Sequence, residues 1–251
     1  DAGISACAGG HEVSERSGKG RGLAALMLAL APLASAMADD TAATLLHPLF
    51  QDHAVLQRDQ PIPIWGEASP GATVQVALAQ HRRSAQADAD GRWWVELPAL
   101  PAGGPYTLTA RTGEASRTVD DLLVGDVWLC SGQSNMELQV WRSLDARSEI
   151  AGAASETIRL LTVPQSSSPA PQSTFGDDTR WQTVDPESIR EFSAACWYFA
   201  RELQKNVDVP MGLVNASWGG SRIQAWTSAD ALRAAGAYDD QLDVLALYAT
   251  E

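Results

Sequence analysis

From Leu122 to Cys130 the chain reads LLVGDVWLC, a near-continuous apolar run, and the small and polar residues SGQSN follow at once. A strand apolar on successive residues has to be covered on both faces, the condition of a parallel sheet flanked by helices. TIRLLTV (Thr157–Val163) and PMGLVNAS (Pro210–Ser217) are two further runs of this kind. Between them, SIREFSAACWYFARELQKNV (Ser188–Val207) sets Phe192, Ala195, Tyr198, Phe199, Ala200 and Leu203 on one helical stripe. TSADALRAAG (Thr227–Gly236) opens another helix, with Thr227 or Ser228 as N-cap. Strand, helix, strand, helix is the βαβ order of a parallel sheet. PQSSSPAPQSTFGDDTRWQTVDPES (Pro164–Ser188) is polar and proline-rich and reads as a long loop.

The pattern upstream of Leu122 is different. PIPIWGEA (Pro61–Ala68) ends in the turn Ser69-Pro70-Gly71, and ATVQVALA (Ala72–Ala79) alternates apolar and polar residues. ADADGRWWVELPAL (Ala87–Leu100) turns at Asp90-Gly91 and alternates again, as does PAGGPYTLTART (Pro101–Thr112). Short alternating strands between Gly/Pro turns predict an antiparallel sandwich or jelly roll. The expected fold class is therefore α/β, an N-terminal antiparallel β-sandwich or jelly-roll-like domain over 39–122 followed by an incomplete parallel-sheet α/β domain over 123–251. A sheet left incomplete exposes an edge and an apolar face, so 45–122 is expected to fold independently and 123–251 to be poorly stable alone.

Residues 1–38 are read separately. Arg16, Lys19 and Arg21 precede the apolar GLAALMLALAPLASA (Gly22–Ala36), and small residues lead to Asp39. Basic flank, short apolar run and Ala-x-Ala describe a secretory signal peptide, cleaved after Ala38 or Ala36. The expectation is an exported protein, periplasmic or secreted, with no membrane anchor after cleavage. The net charge of −13 and the lack of a Lys/Arg run argue against a nucleic-acid partner. In an exported chain, Cys130 and Cys196 either pair or stay as buried thiols. The histidines are His11, His47, His53 and His81, in no CxxC or HExxH setting, so neither a metal nor another cofactor is expected.

Ser134 follows the first buried strand by a few residues, in a turn permitted by Gly132, with a helix able to start near Asn135. Ligands of open α/β sheets sit beyond the carboxyl ends of the strands. A hydroxyl there, beside free helix N–H groups, suits acyl transfer. The same spacing also describes an ordinary helix-capping serine. NASWGGSRIQAW (Asn215–Trp226) ends another buried strand with Gly219 and Gly220, which admit close backbone approach to a ligand or simply form a tight turn.

Taken together, GDVWLCSGQSNMEL and GLVNASWGGSRIQAWTS resemble the sialate O-acetylesterases, a carbohydrate-esterase branch of the SGNH hydrolase superfamily. DHAVLQRDQPIPIWGEASPGATVQV and DGRWWVELPALPAGGPYTLT resemble that family's N-terminal β domain, and FSAACWYFARELQK its helix before the tandem-glycine strand. The resemblance implies an SGNH-type, flavodoxin-like α/β domain and a serine esterase acting on O-acetylated sialic acid or other acetylated glycans. It implies Ser134 as nucleophile, with the oxyanion hole from the N–H of Ser134 and of Gly219 or Gly220. Gln133 and Asn135 fall in the motif as tentative substrate-binding residues, and no metal is implied. The family's catalytic Asp and His and a Gln-Gly-Glu oxyanion block lie further on, and no His follows His81. The expectation is thus the N-terminal portion of an esterase, inactive by itself. The alternative is a glycan-binding module without chemistry.

Overall fold

The computed structural model describes residues 45–113, 115–175, 178–236 and 238–249. The leader read at 1–38 lies outside the described residues. Strand β1 (Val55–Gln57) precedes β2 (Ile62–Glu67), β3 (Thr73–Leu78), β4 (His81–Gln86), β5 (Arg92–Leu97) and β6 (Gly103–Thr112). β2, β3 and β5 bury alternate residues, as their period-two patterns require. β2 and β5 pair antiparallel, with Trp65 opposite Trp94. β4, β3 and β6 form a second antiparallel ladder. Ile64, Val95 and Leu97 from the first sheet meet Val74, Val76, Leu108 and Ala110 from the second in one core. β4 carries HRRSAQ, mostly exposed, with no apolar alternation to announce it.

The next strand joins the two textures. β7 (Ala115–Gly132) is 18 residues long. Its first part pairs antiparallel with β6, and Asp126–Gly132 pairs parallel with β10 (Met211–Ser217). β1 adds a short parallel pairing at Leu123–Gly125. One sheet therefore runs in the order β4-β3-β6-β7-β10-β8-β9, where β8 is Ser155–Thr162 and β9 is Trp181–Val184. The domain change expected at 122/123 falls inside β7, and the chain does not break there. Leu161 of β8 and Trp181 of β9 join the core formed with the upstream strands.

The helices are α1 (Ser134–Glu137), α2 (Ala146–Ala151), α3 (Ala194–Gln204), α4 (Ala229–Ala235) and α5 (Asp239–Tyr248). Ser193 caps α3 through Cys196 N–H at 3.2 Å, and Ser228, one of the two expected caps, serves α4 through Ala231 N–H at 3.2 Å. α3 is shorter than the 188–207 stripe, of which Phe192 and Ala200 are buried and Tyr198 and Leu203 pack against the same core. Its buried residues are Ala194, Cys196, Trp197 and Ala200, whereas Ala195 and Phe199 face outward. Phe199 instead meets Trp128 edge-on, centroids 4.9 Å apart. The long loop expected from 164 to 188 contains β9, antiparallel to β8. β7 also departs from the reading of a strand covered on both faces: Trp128 is 38% and Leu129 69% exposed. β1 ends at Gln57, so the carboxyl half of β7 has β10 on one edge and no strand on the other among the described residues.

Cys130 near the end of β7 and Cys196 in the first turn of α3 form a disulfide, Cα atoms 5.9 Å apart, settling the alternative left open by the sequence. It closes a loop across 66 positions, which in the chain-entropy picture restrains the unfolded state by up to about 4 kcal/mol. Cys130→Ser/Cys196→Ser is expected to lose about 2–4 kcal/mol of stability. Urea unfolding with and without reductant checks this: reductant should lower the midpoint of the parent chain and leave the double variant unmoved.

Candidate active site

β7 and β10 end side by side. Ser131 pairs with Ala216 and Gly132 with Ser217, and Trp218 N–H donates to Gly132 O at 2.9 Å. Two turns thus leave neighbouring parallel strands at their carboxyl ends, where open α/β sheets take ligands. Gly132 has φ +142°, a value that side chains disfavour, and this lets the chain turn from strand into α1 within a residue. The Gln133 carbonyl accepts from Met136 and Glu137 N–H at 2.9 and 3.0 Å. Ser134 is the first residue of α1 and is exposed, as are Gln133 and Asn135. Among the described residues the Ser134 hydroxyl has no hydrogen-bond partner.

The tandem-glycine turn lies against this serine. A Cβ built on Gly219 would stand 3.6 Å from Ser134 Cα and would collide with the Glu137 carboxylate. Gly219 N–H donates to Glu137 Oε2. Glu137 Oε1 accepts from Gln165 Nε2 at 3.1 Å, and the same amide donates to the Ser217 carbonyl at 3.2 Å. Gln165 follows β8, so one carboxylate ties together the turns after β7, β8 and β10. The Gly219 amide is occupied by this contact, whereas the N–H groups of Ser134 and Gly220 have no partner among the described residues. Ser131, Gly132 and Gln133 also line a cavity of about 240 Å³ with Ser221, Ile223 and Trp226. Trp218 and Trp226 are 37% and 41% exposed and leave large apolar surface beside these turns.

Sequence reasoning missed Glu137 and Gln165. Glu137 had a signal, the Ser-x-x-Glu spacing of a capping box from Ser134, although its carboxylate turns to Gly219 instead of back to the helix start. Gln165 had none, being one polar residue in a polar loop.

Neither His47 nor His53 reaches Ser134. His47 Nε2 is 2.8 Å from Ser173 O, and His53 Nδ1 is 2.6 Å from Asp121 Oδ2. Asp121 also receives Arg159 NH1 at 2.7 Å, and Arg159 is 3% exposed. Burial alone would raise the Asp121 pKa, but the hydrogen bonds from Arg159 and His53 outweigh it and hold it below the usual carboxylate range. A lowered native pKa stabilises above the unfolded value of about 3.9 and loses that stabilisation as pH falls through the native value. Asp121→Asn, which tolerates the local φ of +54°, leaves a buried guanidinium unpaired. It should cost about 2 kcal/mol near neutral pH, less than a fully buried pair because Asp121 keeps about a third of its surface in water. The difference from the parent should shrink below about pH 4, as checked by urea unfolding across pH.

Fold and crevice together define a mixed α/β protein in which a serine turn and a glycine turn face each other beyond parallel strands. The family model described as "Carbohydrate esterase, sialic acid-specific acetylesterase" matches residues 124–246. The chain belongs to this sialate O-acetylesterase family of carbohydrate esterases. Sialate O-acetylesterases of Pongo abelii and Homo sapiens are 37% and 36% identical to it over 191 residues, 69% of this chain and 36% of each relative. A carbohydrate acetylesterase from Xanthomonas citri is 43% identical in its crystal structure, with a TM-score of 0.72, covering 75% of this chain and 43% of that one. The chain thus matches little more than a third of the length of those two curated relatives.

Proposed function

We propose that this chain carries the nucleophile-bearing part of a carbohydrate O-acetylesterase, acting on O-acetylated sialic acid or another acetylated glycan. The observation that carries the reading is the apposition of an exposed Ser134 with the Gly219–Gly220 turn at the carboxyl ends of β7 and β10. Ser134 Oγ attacks the acetyl carbonyl, and its proton passes to a base. The N–H groups of Ser134 and Gly220 take the developing oxyanion, since that of Gly219 is committed to Glu137. The sugar hydroxyl leaves, and water then releases acetate from the serine ester. The β-sandwich or jelly-roll reading of 39–122 and the SGNH-type reading of 123–251 belong to this same proposal.

No histidine or carboxylate among the described residues hydrogen-bonds Ser134, and the proposal includes negligible turnover by 1–251 alone. The same observation favours one second reading, a glycan-binding module that uses the tryptophan-edged crevice without chemistry. Acetate release from O-acetylated sialic acid, followed by pH-stat, separates the two. A protein extended to the length of its relatives should release acetate, and 1–251 should not. Saturable glycan binding by both without hydrolysis by either would establish the module and sink the esterase. Export is part of the proposal, supported by the leader-like sequence before Asp39 and by the Cys130–Cys196 bridge, a bond typical of oxidising compartments.

A further inference from the structure

A second cavity, of about 500 Å³, lies away from the serine turn, between the segment before β1, the start of β7 and the residues entering β9. Its size suits a monosaccharide-sized ligand. Arg117, Thr179 and Arg180 line it, with Gln51, Asp52 and His53. Two features single it out. Thr179 is 2% exposed, and its hydroxyl is buried with no hydrogen-bond partner, an expensive condition unless something else satisfies it. Arg117 and Arg180 have no acidic partner among the described residues, although the chain carries 31 Asp and Glu against 18 Lys and Arg.

The charges facing the cavity can be balanced. Arg117 and Arg180 are positive and Asp52 is negative, its Oδ1 accepting Asp120 N–H at 2.8 Å. His53 is tied through Nδ1 to Asp121, and Gln51 Nε2 to the Thr179 carbonyl at 2.7 Å. The guanidinium groups exceed the cavity's own carboxylate by one charge, which matches a monoanion better than a phosphate dianion. Guanidinium forks suit a planar carboxylate, and the idle Thr179 hydroxyl suits a neighbouring hydroxyl. We infer that this cavity binds an acidic sugar, its carboxylate held by Arg117 and Arg180 and a hydroxyl held by Thr179. The site is separate from the ester crevice and does not rest on Ser134 being a nucleophile.

The test uses the 251-residue protein and non-acetylated probes, so hydrolysis plays no part. N-Acetylneuraminic acid and glucuronic acid are titrated while the indole N–H resonance of Trp181 is followed. Trp181 lines the cavity and donates to Leu49 O at 3.0 Å. Saturable shifts are expected with both acids and none with neutral N-acetylglucosamine. Arg117→Gln and Arg180→Gln should each weaken binding about tenfold or more. Both side chains are exposed, so the fold should persist, and the dispersion of the amide spectrum verifies it. Thr179→Val should weaken the sugars but not free acetate. No saturation by either acid, affinities indifferent to both arginine variants, shifts at Trp226 in place of Trp181, or acetate binding as tightly as the sugars would each overturn the assignment.

Discussion

Replacing Ser134 by alanine, in the protein extended to the length of its sialate O-acetylesterase relatives, is expected to lower acetate release by on the order of 10³-fold or more. The size follows from how a nucleophile works. A serine hydroxyl, its base and the oxyanion donors act as one unit, so removing the attacking atom leaves only what donors and binding achieve with water. Ser134 begins a four-residue helix at the surface and buries nothing, so the variant should keep its stability. Loss of turnover with an unchanged unfolding midpoint is the expected pair of results. Turnover that survives in Ser134→Ala would remove the assigned nucleophile. Robust Ser134-dependent turnover by 1–251 alone would reveal a base that its described contacts do not show.

The second large effect is expected at Gly219. Any side chain there drives its Cβ into the Glu137 carboxylate, with Ser134 Cα close behind. The clash is with the far end of a flexible side chain, so the structure can yield, but it yields by expelling Glu137. That frees Gln165 and loosens the glycine turn from the serine turn. Gly219→Val should therefore reduce kcat/KM of the extended protein by roughly 10²–10³, the scale of losing an oxyanion donor, because Gly220 N–H no longer sits where the acyl oxygen develops charge. Gly220→Val should also lower the rate, but through backbone strain at φ +78°, since a Cβ there meets no other atom. Measuring both variants beside Glu137→Ala separates the causes. Glu137→Ala removes the brace without adding bulk and should fall between Gly219→Val and the parent. Parent-like rates in Gly219→Val and Glu137→Ala together would show that the brace has no catalytic consequence.

Much of the architecture was legible in the sequence. β2, β3, β5 and β6 follow from alternation between Gly/Pro turns, and β8 and β10 from unbroken apolar runs, because one-sided and two-sided burial leave different patterns. The two turns of the site were also legible, since a serine after Gly132 and a tandem glycine after Ser217 each interrupt an apolar run at a strand end. β4 and β9 were not, because neither announces itself: one is polar on both faces and the other sits inside a proline-rich stretch. The buried side of the helical stripe through α3 was legible in part: Phe192, Tyr198, Ala200 and Leu203 meet the core, whereas Ala195 and Phe199 do not. Apolar spacing marked Ala195 and Phe199, whereas the bridge at Cys196 and the burial of Trp197 set the helix's rotation.

The sequence by itself determined the alternating strands β2, β3, β5 and β6, the change to continuous apolar strands near Leu122, and the place of Ser134 and Gly219 at strand ends. These are local properties, written in spacing and in the needs of turns. Only the tertiary structure decided that β7 runs through both parts as one strand, that Cys130 reaches Cys196, and that Glu137 claims the Gly219 amide while Gln165 braces it. Each of these joins residues far apart in the chain, and short-range periodicity carries no information about which distant group a buried or polar side chain will meet.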